Sequence, residues 1–346
     1  MTIFTAFLFI PRGVWANASA NGKLLQVPAN QSYSFLMAGH LYGFPGGVSQ
    51  YPASTFLANL NKLEKLKFSF VALLGDTVRV ANERSFDLLH QSVLGKISAP
   101  VFIVPGNHDY PDPELYEDYF GETYYSFRVG TEQFVFLNSE PEAATSSSQL
   151  TFINSIFSGI RSDSSIKNVV VFSSRLFWLE ADPALIKLAT LVNARRIKAT
   201  DRQLWGVVEK ELKSLEVKEV YLIAGDVGVE SAPSVLSHHQ ENSNFHFIAT
   251  GLGDDSEDAV LMGIVNEGNL RFEVISLISG EVDELENYTA QLWADLLPDP
   301  ETDNGAGRQL NIFEKIWIIL LRKTLWAGVL LGVVMMMGLK LIKFEL

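Results

Sequence analysis

Two apolar runs, each followed closely by polar residues, constrain this chain more than any other feature. Phe70–Leu74 is followed by Asp76, and Val101–Val104 by the Gly-Asn-His-Asp stretch that ends at Asp109. Short runs of this kind are typical of the buried strands of a parallel sheet. Because open α/β sheets bind ligands at the carboxyl ends of their strands, we expect these polar residues to share a pocket. Two ordinary turns are the alternative, since Gly-Asp and Gly-Asn are common turn dipeptides.

Composition excludes several classes of protein. The chain has 346 residues, 47% of them hydrophobic, which is enough for one large core or two smaller ones. Its net charge of −13 and the lack of a basic stripe argue against a general nucleic-acid binder. The absence of cysteine excludes a disulfide framework, a thiolate zinc site and a cysteine nucleophile.

Residues 32–280 are predicted to form one α/β domain. Its first part alternates strands with amphipathic helices, an order that favours right-handed crossovers and a parallel sheet. The elements predicted there are Tyr33–Ala38, 53–66, Phe70–Leu74, 82–95 and Val101–Val104. A strand pair, two more helices and a second, more antiparallel half are expected to follow. Their predicted bounds are Tyr124–Val129, Glu132–Leu137, 148–161, Asn168–Ser173, 201–215, Val220–Ala224, Phe245–Ala249, Ala259–Val265 and Leu270–Ile275.

The last part of the chain is predicted to be a membrane anchor. Residues 324–342 carry one charge, Lys340 near their far end, and as a helix they span roughly 28 Å, about one hydrocarbon core. A buried soluble helix is the alternative, but the run is apolar on every face. Residues 311–323 are predicted to form an interfacial helix, and the acidic residues 281–310 a linker.

Residues 1–31 are predicted to be a leader. A short apolar stretch, Ile3–Ile10, and small-x-small sequences around Ala18 resemble a secretory signal, although no positive charge precedes the stretch. An unstructured leader or a first strand is the alternative. More positive charges precede the anchor than follow it, which favours a cytoplasmic domain. We expect an exported domain with a C-terminal anchor, and a cytoplasmic, tail-anchored domain is the alternative.

With these motifs, residues 32–280 resemble the calcineurin-like metallophosphoesterases. The resemblance implies an α/β fold (an α+β sandwich) in which two mixed β-sheets are flanked by helices and strand-end loops hold two metals. It also implies that Asp76 bridges the metals and that Asn107 binds one of them. His108 would then assist the leaving oxygen, and Asp109 would orient His108.

The other family motifs are altered in this chain. In the Asp-x-His motif after the first strand, His40 stands where the family has aspartate and Tyr42 where it has histidine. Tyrosine is a poor ligand for hard cations unless it is ionised, and its ordinary pKa is near 10. Ser174 or Arg175 takes the place of the third-motif histidine. In the fourth motif, Gly-His-x-His, the chain has Asp226 and then a glycine.

These changes leave oxygen donors at Asp76, Asn107 and Asp226, with His40 either a substitute ligand or a residue that caps its loop. They predict one divalent cation, Mn²⁺, Mg²⁺, Ca²⁺ or Fe²⁺, in place of two, or none if the chain is not an enzyme. One cation can still act as a Lewis acid, but the symmetric clamp on the attacking and leaving oxygens would be lost.

Arg175 and Tyr42 are the candidate substrate-binding residues. A guanidinium group matches phosphate in a bidentate way and can supply positive charge where a metal is missing. A surface arginine that merely follows a strand is the alternative.

Three other features of the sequence have not been assigned a role. The pair His238–His239 lies in a polar segment and is either solvated or ligating, and His246 is expected to be structural. The acidic residues within 254–258 form either a solvated turn or a calcium-binding loop.

Two functions follow from these features. One is a membrane-anchored phosphoesterase that hydrolyses a phosphomonoester or phosphodiester, of a small molecule or a lipid, at an altered metal site. The other is an inactive, phosphoesterase-like scaffold that binds a ligand or a protein partner in a membrane complex. The intact Gly-Asn-His-Asp stretch favours the first, and the loss of three motifs favours the second.

Overall fold

The computed structural model describes residues 19–26, 32–190, 198–215, 218–227 and 233–295. The chain divides into two units, Met1–Leu297 and Pro298–Leu346, and all the described residues lie in the first. Within these ranges, no helix is long and apolar enough to cross a membrane.

Several predicted segments lie outside the described residues. They are the leader up to residue 18, the second half of the linker, the interfacial helix 311–323 and the anchor 324–342.

Twelve strands in the described part of the chain form two mixed sheets of six. In chain order they are β1 (Ser32–Gly39), β2 (Phe70–Leu74), β3 (Val101–Val104), β4 (Tyr125–Val129), β5 (Glu132–Phe136), β6 (Asn168–Ser173), β7 (Glu219–Ala224), β8 (Val235–His239), β9 (Phe245–Thr250), β10 (Ala259–Asn266), β11 (Asn269–Ser276) and β12 (Val282–Glu284). The first sheet has the order β12-β11-β10-β1-β2-β3, and the second has the order β4-β5-β6-β7-β9-β8.

The helices connect and flank these strands. They are α1 (Ser54–Leu63), α2 (Glu83–Leu89), α3 (Pro113–Phe120), α4 (Pro141–Ala144), α5 (Ser147–Ser162), α6 (Pro183–Ile186), α7 (Ala199–Leu212) and α8 (Ala290–Ala294). Helix α5 shows why they form. The Ser146 side chain caps it by accepting a hydrogen bond from the backbone N–H of Gln149, and Ile153, Phe157 and Ile160 form its buried stripe.

The two sheets pack face to face, with helices on both outer sides. Strand β1 shows the arrangement, because its side chains alternate between two cores. Phe35 and Met37 contact the core between the sheets, whereas Leu36 and Ala38 contact the core beneath the helices of the first sheet. Helices α5 and α7 cover the outer face of the second sheet. The predicted fold class, two mixed sheets flanked by helices, is confirmed for the described residues.

Parallel pairing brings the carboxyl ends of several strands to one edge in each sheet. In the first sheet Gly39 pairs with Leu74 and Leu74 with Val104, so the residues after β1, β2 and β3 lie side by side. In the second sheet Ser173 pairs with Ala224 in the same way. This pairing places the motif residues at neighbouring strand ends.

The structure corrects the predicted second half. The strands predicted at Ala259–Val265 and Leu270–Ile275 are present, but they join the first sheet, antiparallel beside β1. The second sheet is parallel from β5 through β9 and antiparallel only at its edge strands β4 and β8. A hairpin such as β10-β11 carries a hydrophobic pattern that fits the edge of either sheet, and that pattern therefore did not decide between them.

Packed residues lie on both sides of the predicted domain, residues 32–280. At the carboxyl end, β12 and α8 lie within the segment predicted as a linker, and the indole N–H of Trp293 donates to the Val235 carbonyl at 2.8 Å. At the amino end, the Ala20 N–H donates to the Val101 carbonyl at 2.8 Å, inside the predicted leader. Helix α3 and strand β8 were not predicted.

Candidate functional site

Glycine residues let the strand ends of the two sheets approach each other closely. A Cβ atom on Gly225, after β7, would lie 1.7 Å from the carbonyl oxygen of Leu74 in β2. A Cβ atom on Gly106 would lie 2.2 Å from Oδ1 of Asp76. No side chain fits at either position, since real Cβ contacts do not come this close. Because each glycine precedes a motif residue, the packing that requires glycine also brings the motif residues together.

His40, Asp76 and Asp226 form a buried group that can hold a metal ion. His40 directly follows β1, whereas Asp76 and Asp226 each follow one glycine after β2 and β7. One ligand atom from each of the three lies within 4.8 Å of the others. All three side chains are at most 2% exposed. The structure therefore brings together three of the four predicted metal ligands.

The backbone at this group is strained in two places. His40 and Asp76 have φ angles of +48° and +52°, in the left-handed region that residues other than glycine seldom adopt. Such conformations cost on the order of 1–3 kcal/mol and persist where the surrounding structure imposes them, often at functional sites. Here the strain redirects the chain at the ends of β1 and β2, where the candidate ligands stand.

Asp76 has an incomplete set of hydrogen bonds. Its Oδ1 accepts from the backbone N–H of His108 at 3.0 Å, but its buried Oδ2 has no hydrogen-bond partner among the described residues. Burial, together with the carboxylates of Asp226 and Asp109, raises the pKa of Asp76 well above its usual range. A buried carboxylate beside another acid is the environment that a divalent cation stabilises.

The Tyr42 hydroxyl lies between this group and His108. The Tyr42 hydroxyl lies 2.8 Å from Nε2 of His40 and 3.3 Å from Nε2 of His108. Both Nδ1 atoms face carbonyl oxygens, that of Leu252 for His40 and that of Arg79 for His108, so both Nδ1 atoms carry the hydrogen. In the neutral forms, two Nε2 lone pairs therefore face one hydroxyl hydrogen, and the shorter distance assigns that hydrogen to the bond with His40.

Burial lowers the pKa of His40 to about 4, against the raising effect of its bond to the Leu252 carbonyl. His40 is consequently neutral near pH 7, which is the form that ligates metals.

The structure corrects the predicted role of Asp109. The resemblance implied that Asp109 orients His108, but the Arg79 carbonyl fills that role, at 2.7 Å from Nδ1 of His108. Asp109 is buried, and its carboxylate accepts hydrogen bonds from the N–H groups of Thr77, Val78 and Gly106. It therefore ties the loop after β2 to the loop after β3.

Tyr42 and Arg175, the predicted substrate-binding residues, are both buried. Tyr42 is 3% exposed between the two imidazoles, which leaves little surface for a substrate. Arg175 forms a bidentate ion pair with Asp201, in which Nε and Nη2 donate at 2.9 and 3.0 Å. It is thus no surface arginine, and its pairing with Asp201 argues for a structural role. Next to it, the Ser174 hydroxyl is buried without a hydrogen-bond partner among the described residues.

Asn107 is exposed to solvent, unlike the three buried candidate ligands. Its side chain lines a cavity of about 290 Å³ together with Tyr110, Glu140, Glu142, Lys198 and three prolines. Its predicted role as a metal ligand stays a prediction.

Glu140 is a candidate functional residue that the sequence analysis missed. It follows β5, is 2% exposed, and its Oε1 has no hydrogen-bond partner among the described residues. Burial raises the pKa of Glu140 to about 8, with Arg175 opposing this effect and Asp226 adding to it. The only sequence signal is an acid three residues after a predicted strand, followed by the helix-starting Pro141.

The acidic residues within 254–258 support the site indirectly. Asp254 accepts hydrogen bonds from the Ser54 hydroxyl and the Thr55 N–H at the start of α1, at 2.7 and 3.2 Å. Asp258 is buried and accepts from the Gly253 N–H at 2.8 Å. These bonds fix the loop whose Leu252 carbonyl contacts His40, which gives Asp254 and Asp258 a structural role.

The remaining histidines lie away from the buried group. His238 lies 3.3 Å from Asp182, and the imidazole of His239 stacks on that of His246 with ring centres 4.4 Å apart. Nε2 of His246 lies 3.0 Å from Glu219. These contacts agree with a structural role for His246.

Comparison with known proteins finds similarity over part of the chain. Residues 49–189 match the family model for calcineurin-like phosphoesterases. A solved structure of a dimetal phosphatase from Danio rerio is 14% identical and covers 73% of this chain and 99% of its own, with a TM-score of 0.49. A predicted phosphoesterase from Streptococcus pneumoniae TIGR4 is 8% identical and covers 73% of this chain and 97% of its own, with a TM-score of 0.34. No curated protein matches the sequence.

Proposed function

We propose that this chain, whose residues 49–189 match the calcineurin-like phosphoesterase family, hydrolyses a phosphoester with the help of one divalent cation. His40, Asp76 and Asp226 would hold the cation. The observation that carries the proposal is the buried Oδ2 of Asp76, which lacks a partner among the described residues and belongs to a group that can converge on an ion. A cation there would satisfy this oxygen and offset the neighbouring negative charges.

The donor set favours particular metals. One imidazole nitrogen with two carboxylates suits Mn²⁺ or Fe²⁺ better than Mg²⁺ or Ca²⁺, which prefer oxygen ligands alone. A second ion of the family type lacks a clear set of ligands, because Ser174 stands at the third motif and Asn107 is exposed. One ion is therefore the proposal.

When bound, the cation would polarise a phosphoryl oxygen and lower the pKa of a water molecule. The other steps belong to side chains of the chain itself. His108 is half-buried, and its Nδ1–H donates to the Arg79 carbonyl. When the imidazole takes up a second proton, that proton is on Nε2, from which it would pass to the leaving oxygen. The Arg79 guanidinium lies 4.6 Å from the centre of the Tyr42 ring and adds positive charge beside His108.

A binding scaffold without turnover is the second candidate. One observation favours it. The Tyr42 hydroxyl lies 2.8 Å from Nε2 of His40 and donates to the lone pair that a cation would need. A cation must compete with this hydrogen bond, which weakens binding if Tyr42 cannot turn away.

Turnover decides between the two candidates. We expect the full chain with Mn²⁺ to hydrolyse p-nitrophenyl phosphate or its bis ester, and Asp76→Asn to lower kcat at least about a hundredfold. Asparagine is the appropriate replacement because it tolerates the positive φ of this position. Hydrolysis that survives Asp76→Asn would contradict the proposal, and Mn²⁺ binding without hydrolysis would support the scaffold.

We also propose that residues 324–342 anchor the chain in a membrane, with the catalytic domain outside the cytoplasm. The proposal is supported by the length and uniform apolarity of this run. Protease treatment of intact spheroplasts tests the orientation. Digestion of the domain supports an exported domain, and full protection supports the cytoplasmic alternative.

A further inference from the structure

The cavity beside Asn107 adjoins the proposed metal site. Asn107 directly follows Gly106, whose α-carbon contacts Asp76 so closely that no Cβ fits between them. On its other side the cavity is lined by Glu140, whose charge interacts with that of Asp226. A group held in this cavity would therefore sit next to a phosphate bound at the proposed metal site.

Glu140 gives this cavity a buried polar anchor. The residue is 2% exposed, and Oε1 has no hydrogen-bond partner among the described residues. Its backbone N–H donates to Oδ1 of Asn138 at 3.0 Å, which fixes the start of the loop. A buried carboxyl oxygen without a partner is unfavourable, and such an oxygen is kept where a ligand completes its hydrogen bonds.

The lining suits a neutral, hydroxyl-rich group. The Asn107 amide, the Glu140 carboxyl and the Tyr110 hydroxyl offer both donors and acceptors, as hydroxyl groups require. The positive charge of Lys198 would repel an organic cation, and the negative charge of Glu142 would repel an anionic leaving group. The tyrosine ring and three prolines supply rigid apolar surface for C–H groups. The volume, about 290 Å³, is at the lower end of ligand pockets.

We propose that this cavity is the leaving-group subsite and takes a polyhydroxylated alcohol such as a sugar, with Glu140 hydrogen-bonded to its hydroxyl groups. The substrate would accordingly be a sugar or polyol phosphate. This inference rests on the proposed phosphoesterase function.

Binding of non-hydrolysable phosphonates tests the subsite without requiring turnover. The probes are the phosphonate analogues of glucose 6-phosphate, glycerol 3-phosphate and phosphocholine, with methylphosphonate as the reference that lacks a leaving group. Calorimetry on the Mn²⁺-treated full chain should show that one polyol analogue binds at least about tenfold more tightly than methylphosphonate. Glu140→Leu should remove this preference and keep the methylphosphonate affinity, and Glu140→Gln should keep part of the preference.

Glu241→Gln, at an exposed position between β8 and β9, is the matched control and should bind as the wild type does. Three results would overturn the subsite: no polyol preference in the wild type, a stronger preference for the phosphocholine analogue, or an equal loss for all probes in Glu140→Leu. Selective binding of the glucose analogue without hydrolysis of glucose 6-phosphate would instead refute the hydrolase and keep the subsite.

Discussion

At the scale of single residues, Asp76 combines a destabilising environment with the proposed metal-binding role. It is buried, lies near two other carboxylates and has a φ angle of +52°. Asp76→Asn removes the charge and keeps a side chain that tolerates this backbone. We expect the metal-free variant to unfold at a higher temperature than the wild type near pH 7, by several degrees.

The same variant should lose the stabilisation that Mn²⁺ gives to the wild type. Thermal melts with and without Mn²⁺ measure both effects. A variant that is less stable without metal, or that still gains stability from Mn²⁺, would contradict the proposed role of Asp76.

Glu140 should make the free energy of unfolding fall as the pH rises. The pKa of Glu140 is raised from 4.5 to about 8, so between these values the folded chain keeps a proton that the unfolded chain has lost. Wild-type stability therefore falls as pH rises from 4.5 to 8, by about 1.4 kcal/mol for each unit of pKa difference at most. Glu140→Gln should match the wild type near pH 4.5 and become increasingly more stable toward pH 8.

Thermal melts across this pH range check the prediction, with Glu241→Gln at an exposed position as the control. A difference between Glu140→Gln and the wild type that does not change with pH would show that Glu140 titrates normally.

At the residue scale, the sequence located three candidate ligands that the structure brings together. Asp76, Asp226 and His40 were predicted as ligands because they stand at the positions of the family motifs, and their role as ligands stays a prediction. Glu140 was missed because its burial depends on Arg175 and on the second sheet, which are distant in sequence. The partner that orients His108 was also missed, since any residue can supply a backbone carbonyl.

At the scale of secondary-structure elements, the close approach of β2 and β7 depends on Gly225. A Cβ atom there would lie 1.7 Å from the Leu74 carbonyl oxygen, so Gly225→Ala must push the two sheets apart. We expect a loss of about 1–3 kcal/mol or more in the free energy of unfolding. Gly206→Ala is the control, because a Cβ atom on Gly206 in α7 meets no atom within 4 Å.

A helical alanine is better than glycine by about 0.5–1 kcal/mol, so the control should be slightly stabilising. Urea denaturation of both variants measures the difference. Equal effects of the two substitutions would contradict the close packing of the strand ends.

A buried ion pair connects the loop after β6 to α7. Arg175 and Asp201 have side chains that are 6% and 4% exposed. Asp201→Asn removes the carboxylate charge from this buried pair, and we expect a loss of about 3–5 kcal/mol in the free energy of unfolding. Glu180→Gln breaks the exposed Arg202–Glu180 pair and should change stability little. Urea denaturation measures the free energy of unfolding of both variants. A loss below about 1 kcal/mol in Asp201→Asn would show that other acids balance the charge of Arg175.

The first and last residues of a strand could be predicted where every side chain of the strand is buried. Strands β2 and β3 have the predicted bounds, because every residue in them is buried and apolar. Strand β12 was missed because all three of its residues are exposed, and α8 because a single buried tryptophan dominates its packing. Exposed edge strands leave little periodic signal in a sequence.

At the scale of the whole molecule, the layered fold followed from the sequence, but the assignment of strands to sheets did not. Alternating strands and helices indicate a parallel sheet. The placement of β10 and β11 beside β1 depends on contacts between residues more than 200 positions apart, such as Phe35 with Gly263. Hydrophobic periodicity carries no information about such pairings.

The central claim is that His40, Asp76 and Asp226 bind one divalent cation. Calorimetric titration of the metal-free full chain with Mn²⁺ tests it most directly. We predict one Mn²⁺ per chain for the wild type and for the exposed-site control Asp118→Asn, and no binding for Asp226→Asn in a chain that remains folded. Absence of binding in the wild type, or undiminished binding in Asp226→Asn, would contradict the claim.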